Sequence, residues 1–162
     1  MKHKNIIVLV NPDIPYNTGN IGRTCVIANA ELHLVKPLGF SLDDKYIKRS
    51  GMDYWQDIDL TVWENLDEFS DFLEEKVESN EYQAIYCTTK AKKNIGKLKI
   101  DRPAIIILGS ESAGLPEDWM ALHPDRCYRI PMSEHYRSLN LSNSEAIVLY
   151  EVLRQQGYPE LH

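Results

Sequence analysis

The chain has 162 residues, of which 43% are hydrophobic and 26% charged, with a net charge of −6. This length and composition predict one globular domain over residues 1–162 and exclude a disordered or fibrous chain. No apolar run approaches the roughly 20 residues of a transmembrane helix, and the first residues do not resemble a signal peptide. Three cysteines without a C-x-x-C pattern predict reduced thiols. We therefore expect a cytoplasmic protein with no membrane partner.

Apolar runs and helical periodicities alternate along the chain, with no internal repeat and no linker between them. Short apolar runs predict strands at residues 5–10, 32–35, 59–62, 82–87, 104–108 and 127–130. Helices or helical turns are predicted at residues 17–29, 43–50, 66–77, 117–122 and 142–156. The alternation predicts an α/β fold with a mainly parallel sheet and helices on both faces.

Two of the predicted helices begin with capping signals. Asn17 or Thr18 is expected to cap the first helix. The last helix begins with an S-x-x-E capping box, which predicts Ser142 as its N-cap and Glu145 as the residue that reaches back. Such a box does not account for the polar residues just upstream of it.

Four polar or glycine-rich loops follow the ends of predicted strands, where ligands bind in parallel sheets. They span residues 11–20, 88–90, 109–116 and 131–143. None contains the G-x-G-x-x-G pattern that an oxidoreductase with a dinucleotide cofactor needs, and none is a P-loop. No serine lies in a G-x-S-x-G context, and no histidines are spaced for a metal site. We therefore expect the function to reside in these loops without a metal.

Charged side chains near these loops have both functional and structural interpretations. Arg23 lies on the polar side of the first predicted helix, and Arg137 is a second candidate ligand for phosphate or carboxylate. Glu111 follows a strand end and could act as a base, pair with a cation or interact with a helix terminus. The residues alone leave these alternatives open.

A basic strip lies within the acidic chain. Residues 87–102 carry six bases and one acid, whereas residues 61–86 carry eight acids and one base. Because charges act mainly within a Debye length of about 8–10 Å, the overall acidity does not exclude a nucleic-acid partner. The strip is either a solvated loop or a contact surface for a phosphate backbone.

Three segments resemble the motifs of a known family. They read N-P-x-I-P-x-N-T-G-N-I-x-R over residues 11–23, L-G-x-E-x-x-G-L-P over 108–116 and R-S-L-N-L-S-N over 137–143. They look like motifs one, two and three of the SpoU branch of SPOUT RNA methyltransferases. Two further segments, K-P-L-G-F at 36–40 and R-S-G-M-D-Y-W at 49–55, resemble its TrmL-like (YibK-like) group of small tRNA wobble-nucleotide 2′-O-methyltransferases.

The resemblance implies a fold and an activity. The fold would contain a deep C-terminal trefoil knot, in which the last helix threads a loop, although knots are otherwise almost absent from proteins. The activity would be methyl transfer from S-adenosylmethionine to the ribose 2′-hydroxyl of the wobble cytidine or modified uridine in the tRNA anticodon loop, leaving S-adenosylhomocysteine. Leucine tRNAs are the expected substrates. The alternatives are methylation at another tRNA or rRNA position, or a catalytically silent RNA-binding module.

The resemblance also implies site residues, which match the motifs position by position. The cofactor-binding set is Cys87, Thr88, Leu108, Gly109, Ile130, Met132, Ser138 and Leu139. The active-site set is Arg23, Glu111, Arg137, Ser138, Asn140 and Tyr150. The RNA-binding set is Asn17, Arg23, Lys90, Lys92 and Lys93. Cys87 departs from the leucine that is usual in the family, which matters little if backbone atoms make the contact.

Roles for two of these residues follow as hypotheses. Because an arginine side chain stays protonated, Arg23 is expected to clamp the target phosphate, and the phosphate would help to accept the proton of the hydroxyl. Glu111 would orient Arg23 or Asn140.

The last predicted helix points to a homodimer. Apolar residues occupy more than one of its faces, so one-sided packing cannot bury them all. A two-fold interface would cover the remainder, and the resemblance places motif-one residues near the partner's cofactor. The alternative is a helix buried on all sides within one chain.

Overall fold

The computed structural model describes residues 3–136 and 138–162. The strands are β1 (Ile6–Val10), β2 (Glu31–Val35), β3 (Leu60–Trp63), β4 (Gln83–Cys87), β5 (Ala104–Leu108) and β6 (Cys127–Tyr128). They form one sheet in the order β3-β2-β1-β5-β4-β6, and every neighbouring pair is parallel. The predicted parallel α/β fold is therefore confirmed.

Helices cover both faces of this sheet. They are α1 (Pro15–Ile27), α2 (Lys45–Gly51), α3 (Leu66–Glu78), α4 (Glu117–Ala121) and α5 (Leu141–Gln156). Short 3-10 turns lie at Met52–Asp57, Ile95–Lys97 and Pro124–Arg126. Side chains alternate along a strand, so Ile7 and Leu9 pack with α1 and α5 on one face, whereas Ile6 and Val8 pack with α3 and α4 on the other.

The first helix begins two residues earlier than predicted, and its predicted cap is wrong. Pro15 occupies the first turn, where a missing N–H is harmless, and Ile14 is the N-cap without a side-chain cap bond. Asn17 and Thr18 therefore lie inside the helix. The groups that stabilise this helix end come from elsewhere in the chain, as the site shows below.

The predicted capping box at the last helix is also wrong. Asn140 is the N-cap of α5, and its Oδ1 accepts hydrogen bonds from the backbone N–H groups of Ser142 at 2.9 Å and Asn143 at 3.3 Å. Glu145 does not reach back to the helix start, because its side chain is buried in the core. The box pattern predicted the helix correctly but the roles of both residues incorrectly.

The last strand is shorter than predicted, because its continuation pairs with a loop instead of a strand. Beyond Tyr128, the N–H of Arg129 donates to the carbonyl of Lys93 at 2.9 Å, and the N–H of Ile95 donates to the carbonyl of Arg129 at 2.9 Å. The loop between β4 and β5 is thereby held beside the segment that leads from β6 to α5.

The C-terminal end of α5 is fastened to the sheet by amide side chains. Asn5 and Gln156 exchange two hydrogen bonds of 2.9 Å, and the Oδ1 of Asn5 also accepts from the N–H of Ala104 at 2.9 Å. Gln155 donates to the carbonyl of Leu98 at 3.1 Å and accepts from the N–H of Ile100 at 2.9 Å. These bonds fix α5 so that its N-terminal turns face the carboxyl ends of the strands.

Candidate functional site

The carboxyl ends of β4 and β5, with the loops that follow β1, β5 and β6, surround a pocket of about 520 Å³. Its walls come from all four of the loops singled out in the sequence, and from the first turns of α5. This volume is in the range of small-molecule sites. In the part of the chain that the structure describes, no group of acidic, cysteine or histidine side chains could hold a metal ion.

The loop after β5 folds tightly back on itself at Gly109. A Cβ at this position would lie 2.0 Å from the carbonyl carbon of Gly114 and 2.2 Å from the N of Leu115, so no larger residue fits. Gly114 has φ of +70°, in the left-handed region that favours glycine, and its N–H donates to the carbonyl of Ser110 at 2.9 Å. The turn leaves the backbone at the end of β5 open to the pocket.

Glu111 connects this loop to the loop after β1. Its carboxylate accepts hydrogen bonds from the backbone N–H of Asp13 at 2.9 Å, the backbone N–H of Ile14 at 2.8 Å and Nδ2 of Asn17 at 3.2 Å. The carboxylate lies at the N-terminal end of α1, where helices attract negative charge. Glu111 therefore holds the residues that lead into α1, from 97 residues away in the sequence.

Asn17 extends this connection to the last helix. Its Oδ1 accepts from Nδ2 of Asn140 at 3.1 Å, while Oδ1 of Asn140 caps α5. Glu111, Asn17 and Asn140 thus form one hydrogen-bonded chain that joins the three motif segments. This arrangement connects Glu111 to Asn140 through Asn17.

The structure places all eight residues of the expected cofactor-binding set on the wall of this pocket. From the other expected sets, the pocket wall also includes Asn17, Lys90, Glu111 and Asn140. The strand ends bring these residues together although they are spread over more than 120 positions of the sequence.

Four expected residues lie away from the described wall of the pocket: Arg23, Lys92, Lys93 and Tyr150. The guanidinium of Arg23 stacks over the ring of Tyr54 at 5.2 Å from its centroid. Tyr150 is 40% exposed on α5, and its position five residues after the buried Glu145 turns it about 140° away around the helix axis. Arg137 lies outside the described residues.

The lysines of the basic strip differ in their surroundings. Lys90 forms an ion pair with Glu117. Lys93 lies over the ring of Tyr128 at 4.5 Å and donates to the carbonyl of Asp125 at 3.1 Å, so it stabilises the end of β6. Lys92 is exposed.

Three pocket residues on α5 were not predicted as site residues: Leu141, Ser144 and Val148. Their i, i+3, i+7 spacing places them on one side of the helix, and this spacing is visible in the sequence. The spacing alone does not assign these residues to the site, because the sequence does not tell which side of α5 faces the strand ends.

Burial changes the titration of two groups beside the pocket. Burial raises the pKa of the Cys87 thiol to about 12, and the charge of Glu145 adds to the effect. Burial also raises the pKa of Glu145 well above the usual value of a glutamate. The thiol at the end of β4 is therefore a neutral wall group and not a nucleophile.

A sequence model described as the SpoU rRNA Methylase family matches residues 4–150, which includes all four loops of this pocket. The chain belongs to the SpoU rRNA Methylase family. This finding confirms the resemblance to the SpoU branch and agrees with the absence of a dinucleotide-binding motif from the strand-end loops.

Known members of the SpoU family align with nearly the whole chain. A Bacillus subtilis (strain 168) relative is 44% identical over 159 residues, covering 96% of this chain and 95% of its own, and is described as a candidate tRNA (cytidine(34)-2′-O)-methyltransferase. A Methylovorus glucosotrophus (strain SIP3-4) tRNA (cytidine(34)-2′-O)-methyltransferase is 40% identical over 153 residues, with 94% and 96% covered. A solved structure described as giving insights into 2-OH methylation of C/U34 on tRNA superposes with a TM-score of 0.85, at 34% identity and 96% and 97% coverage.

Among the described residues, no helix is long and apolar enough to cross a bilayer.

Proposed function

We propose that the chain transfers a methyl group from S-adenosylmethionine to the ribose 2′-hydroxyl of nucleotide 34, cytidine or uridine, in tRNA. The main support is that this chain aligns over nearly its full length with tRNA (cytidine(34)-2′-O)-methyltransferases. It also has a pocket where its three motifs meet. Leucine tRNAs in the cytoplasm are the expected substrates.

The pocket fits S-adenosylmethionine chemically. The side chains of Leu108, Leu115, Ile130 and Val148 form apolar walls on which an adenine ring can pack. The wall also carries hydroxyl and amide groups that suit a ribose and an amino-acid group, and they belong to Thr88, Thr89, Ser138, Asn140 and Ser144. When bound, the cofactor supplies a methyl group activated by a sulfonium centre.

The chain's own residues would then hold and orient the reacting groups. Glu111 and Asn17 fix the side chain of Asn140, which lies on the pocket wall close to Ser138 in sequence. Arg23, with Arg137, would clamp the phosphate of the target nucleotide, which fixes the hydroxyl in line for attack. The clamped phosphate then helps to accept the proton of the hydroxyl.

The working unit we propose is a homodimer in which Arg23 serves the partner's pocket. Tyr16, Arg23 and Ile27 share one exposed side of α1, and Ile147 and Tyr150 share one exposed side of α5. Because α1 and α5 pack side by side, these residues offer an apolar patch with Arg23 in it. A second copy seated on this patch would bury it through an isologous interface and bring Arg23 and Tyr150 close to another chain.

A mixing experiment tests this composite site. One chain carries Arg23→Ala and the other Gly109→Ala, which closes the pocket by the backbone clash described above. If Arg23 acts on the partner's pocket, coexpressed chains at equal amounts recover about a quarter of the wild-type rate, since half the dimers are mixed and have one intact site. No recovery from verified mixed dimers would show that Arg23 acts within its own chain.

The fold we propose includes the trefoil knot of the related methyltransferases. Its support is that the loop between β4 and β5 is bonded both to Arg129 after β6 and to Gln155 near the end of α5. The last helix thus lies against a loop that it could thread. When the chain is pulled by its two ends, a tightened knot retains some residues. The stretched length is therefore expected to be shorter than that of 162 extended residues, and the full length would exclude the knot.

The function itself is tested by methyl transfer into tRNA from a strain that lacks the gene. We expect label from S-adenosylmethionine to enter alkali-resistant dinucleotides that map to position 34 of leucine tRNAs. The Arg23→Ala variant should nearly abolish turnover while its cofactor affinity stays within a few-fold. Label in a base, or transfer into rRNA alone, would contradict the proposal, and binding of tRNA without any transfer would favour the silent RNA-binding module.

A further inference from the structure

Glu145 is an acidic side chain buried in the core, with no partner in the described part of the chain. It is 0% exposed, and neither of its carboxyl oxygens has a hydrogen-bond partner among the described residues. Buried polar groups in proteins are almost always hydrogen-bonded, so such a carboxyl requires an explanation. The predicted capping role, which would have explained it, is excluded by the position of the side chain.

Glu145 lies directly behind the wall of the pocket. It follows Ser144 in α5 and lies one turn after Leu141 and three residues before Val148, and these three neighbours line the pocket. Cys87 at the end of β4 also lines the pocket, and the charge of Glu145 contributes to the raised pKa of its thiol. A charge on Glu145 is therefore felt inside the pocket.

Among the residues that the structure describes, no group around Glu145 supplies a counter-charge. The titratable groups that respond to it are Cys25 from α1 and Cys87 from β4, and burial keeps the pKa of both thiols above the usual value. Burial alone raises the pKa of Glu145, with no cation among the described residues to lower it. In the pocket wall itself, Lys90 is paired with Glu117.

We propose that Glu145 is the internal counter-charge for the sulfonium of the methyl donor. With an empty pocket the side chain is a neutral carboxylic acid. When the cationic donor binds, Glu145 releases its proton to solvent and becomes a carboxylate, and it takes a proton back when neutral S-adenosylhomocysteine remains. This inference rests on the proposed function, because it needs S-adenosylmethionine in this pocket.

A cation is the ligand class that this arrangement favours. A buried acid that is neutral in the free protein gains attraction only by ionising, and only a positive charge nearby makes ionisation favourable. Because the interaction is electrostatic, it does not require the carboxylate to touch the ligand. The consequence is that the pocket distinguishes donor from product by charge, and that this distinction grows as the pH rises.

Isothermal titration calorimetry in two buffers of different ionisation heat tests the inference directly. S-adenosylmethionine and S-adenosylhomocysteine are titrated into wild type, Glu145→Gln and Glu145→Val, and the protons released per ligand bound are compared. Glu151→Gln is the matched control, because Glu151 lies on the same helix but pairs with Arg154. The glutamine variant also corrects for protons released by the donor's own amino group.

Wild type and Glu151→Gln are expected to release more protons on binding the donor than Glu145→Gln does, with no such excess for the product. Between pH 6.5 and 8.5, the ratio of donor to product affinity should rise in wild type by up to about tenfold per pH unit relative to Glu145→Gln. Equal proton release in wild type and Glu145→Gln, with both ligands bound, would overturn this inference alone. If neither ligand binds the wild type, the proposed function fails as well.

Discussion

At the scale of single residues, the proposed role of Glu145 in the pocket comes with a cost in the free energy of unfolding. An unpaired carboxyl in the core lowers the free energy of unfolding, and such residues are typical of binding sites rather than of packing. The helix that carries it is otherwise buried through apolar side chains such as Val148, Leu149 and Val152. Glu145 is therefore a position where selection for the site and selection for stability oppose each other.

Replacing Glu145 by leucine should stabilise the protein. The variant removes an unsatisfied buried group, so we expect the free energy of unfolding in urea to rise by about 1–3 kcal/mol at pH 8. Since the folded-state pKa of Glu145 lies above its unfolded value, wild type loses stability as the pH rises above about 4.3, and the gain should shrink toward pH 5. A less stable variant at pH 8 would show that the carboxyl has a partner.

A second prediction concerns Glu111, whose carboxylate accepts three hydrogen bonds at the start of α1. Glu111→Gln keeps the size but leaves a single acceptor oxygen, so at least one N–H of the loop after β1 loses its partner. We expect the free energy of unfolding to fall by about 1–3 kcal/mol and the rate of methyl transfer to fall at least tenfold.

The control for Glu111 is Ser112→Ala. Both the hydroxyl and the backbone N–H of Ser112 donate to the carboxylate of Asp13, in the same pair of loops. Ser112→Ala removes the hydroxyl bond and leaves the Glu111 contacts intact. It should retain most of the methyl-transfer rate. Equal losses in both variants would mean that Glu111 has no special part in positioning Asn17 and Asn140.

At the scale of elements, the sequence predicted the strands well and the connections between them poorly. Runs such as Ile105–Leu108 are apolar at every position, because both faces of the sheet are covered, and this signal is local. The start of α1 depends on a contact across the molecule, from Glu111 to Ile14, which no local pattern encodes. The cap of α5 is local, because Asn140 accepts bonds from the N–H groups of Ser142 and Asn143, but the S-x-x-E pattern pointed to a residue two positions later.

The site shows the same division between local and long-range information. The three motifs gave the pocket residues through their resemblance to a family, and strand-end loops indicated the right edge of the sheet. The wall that α5 contributes could not be predicted, because the direction in which the helix faces depends on the bonds of Gln155 and Gln156 to the sheet. The burial of Glu145 was hidden for the same reason.

The basic strip makes a prediction at this scale. Lys92 is exposed, whereas Lys93 is engaged with Tyr128 and Asp125. Lys92→Ala should therefore weaken tRNA binding and reduce the salt dependence by about one unit of slope in a plot of log affinity against log salt. Lys36→Ala, which removes a lysine paired with Glu64, is the control and should leave the slope unchanged. An unchanged slope for Lys92→Ala would identify the strip as a solvated loop.

At the scale of the whole molecule, the proposed homodimer depends on the exposed sides of α1 and α5. Ile147 is 41% exposed beside Tyr150 on the proposed interface. We expect Ile147→Glu to convert the protein to monomers in sedimentation experiments at micromolar concentration, because each interface would bury two unpaired carboxylates among apolar side chains. Binding of S-adenosylhomocysteine should persist, while methyl transfer is lost.

An exposed apolar residue elsewhere provides the control for this interface. Leu122 follows α4 on the opposite face of the sheet and is 74% exposed, so Leu122→Glu should leave the assembly unchanged. A monomeric Ile147→Glu variant with the wild-type rate would contradict the dimer requirement and place the complete site within one chain.

In the proposed reaction, the ribose 2′-hydroxyl of nucleotide 34 accepts the methyl group. The most direct measurement compares two leucine tRNAs of identical sequence, one of which has 2′-deoxyribose at position 34 only. With labelled S-adenosylmethionine and mass mapping of the digested product, the unmodified tRNA should gain one methyl group at position 34 and the deoxy tRNA none. Methylation of the deoxy tRNA to the same extent would contradict the account.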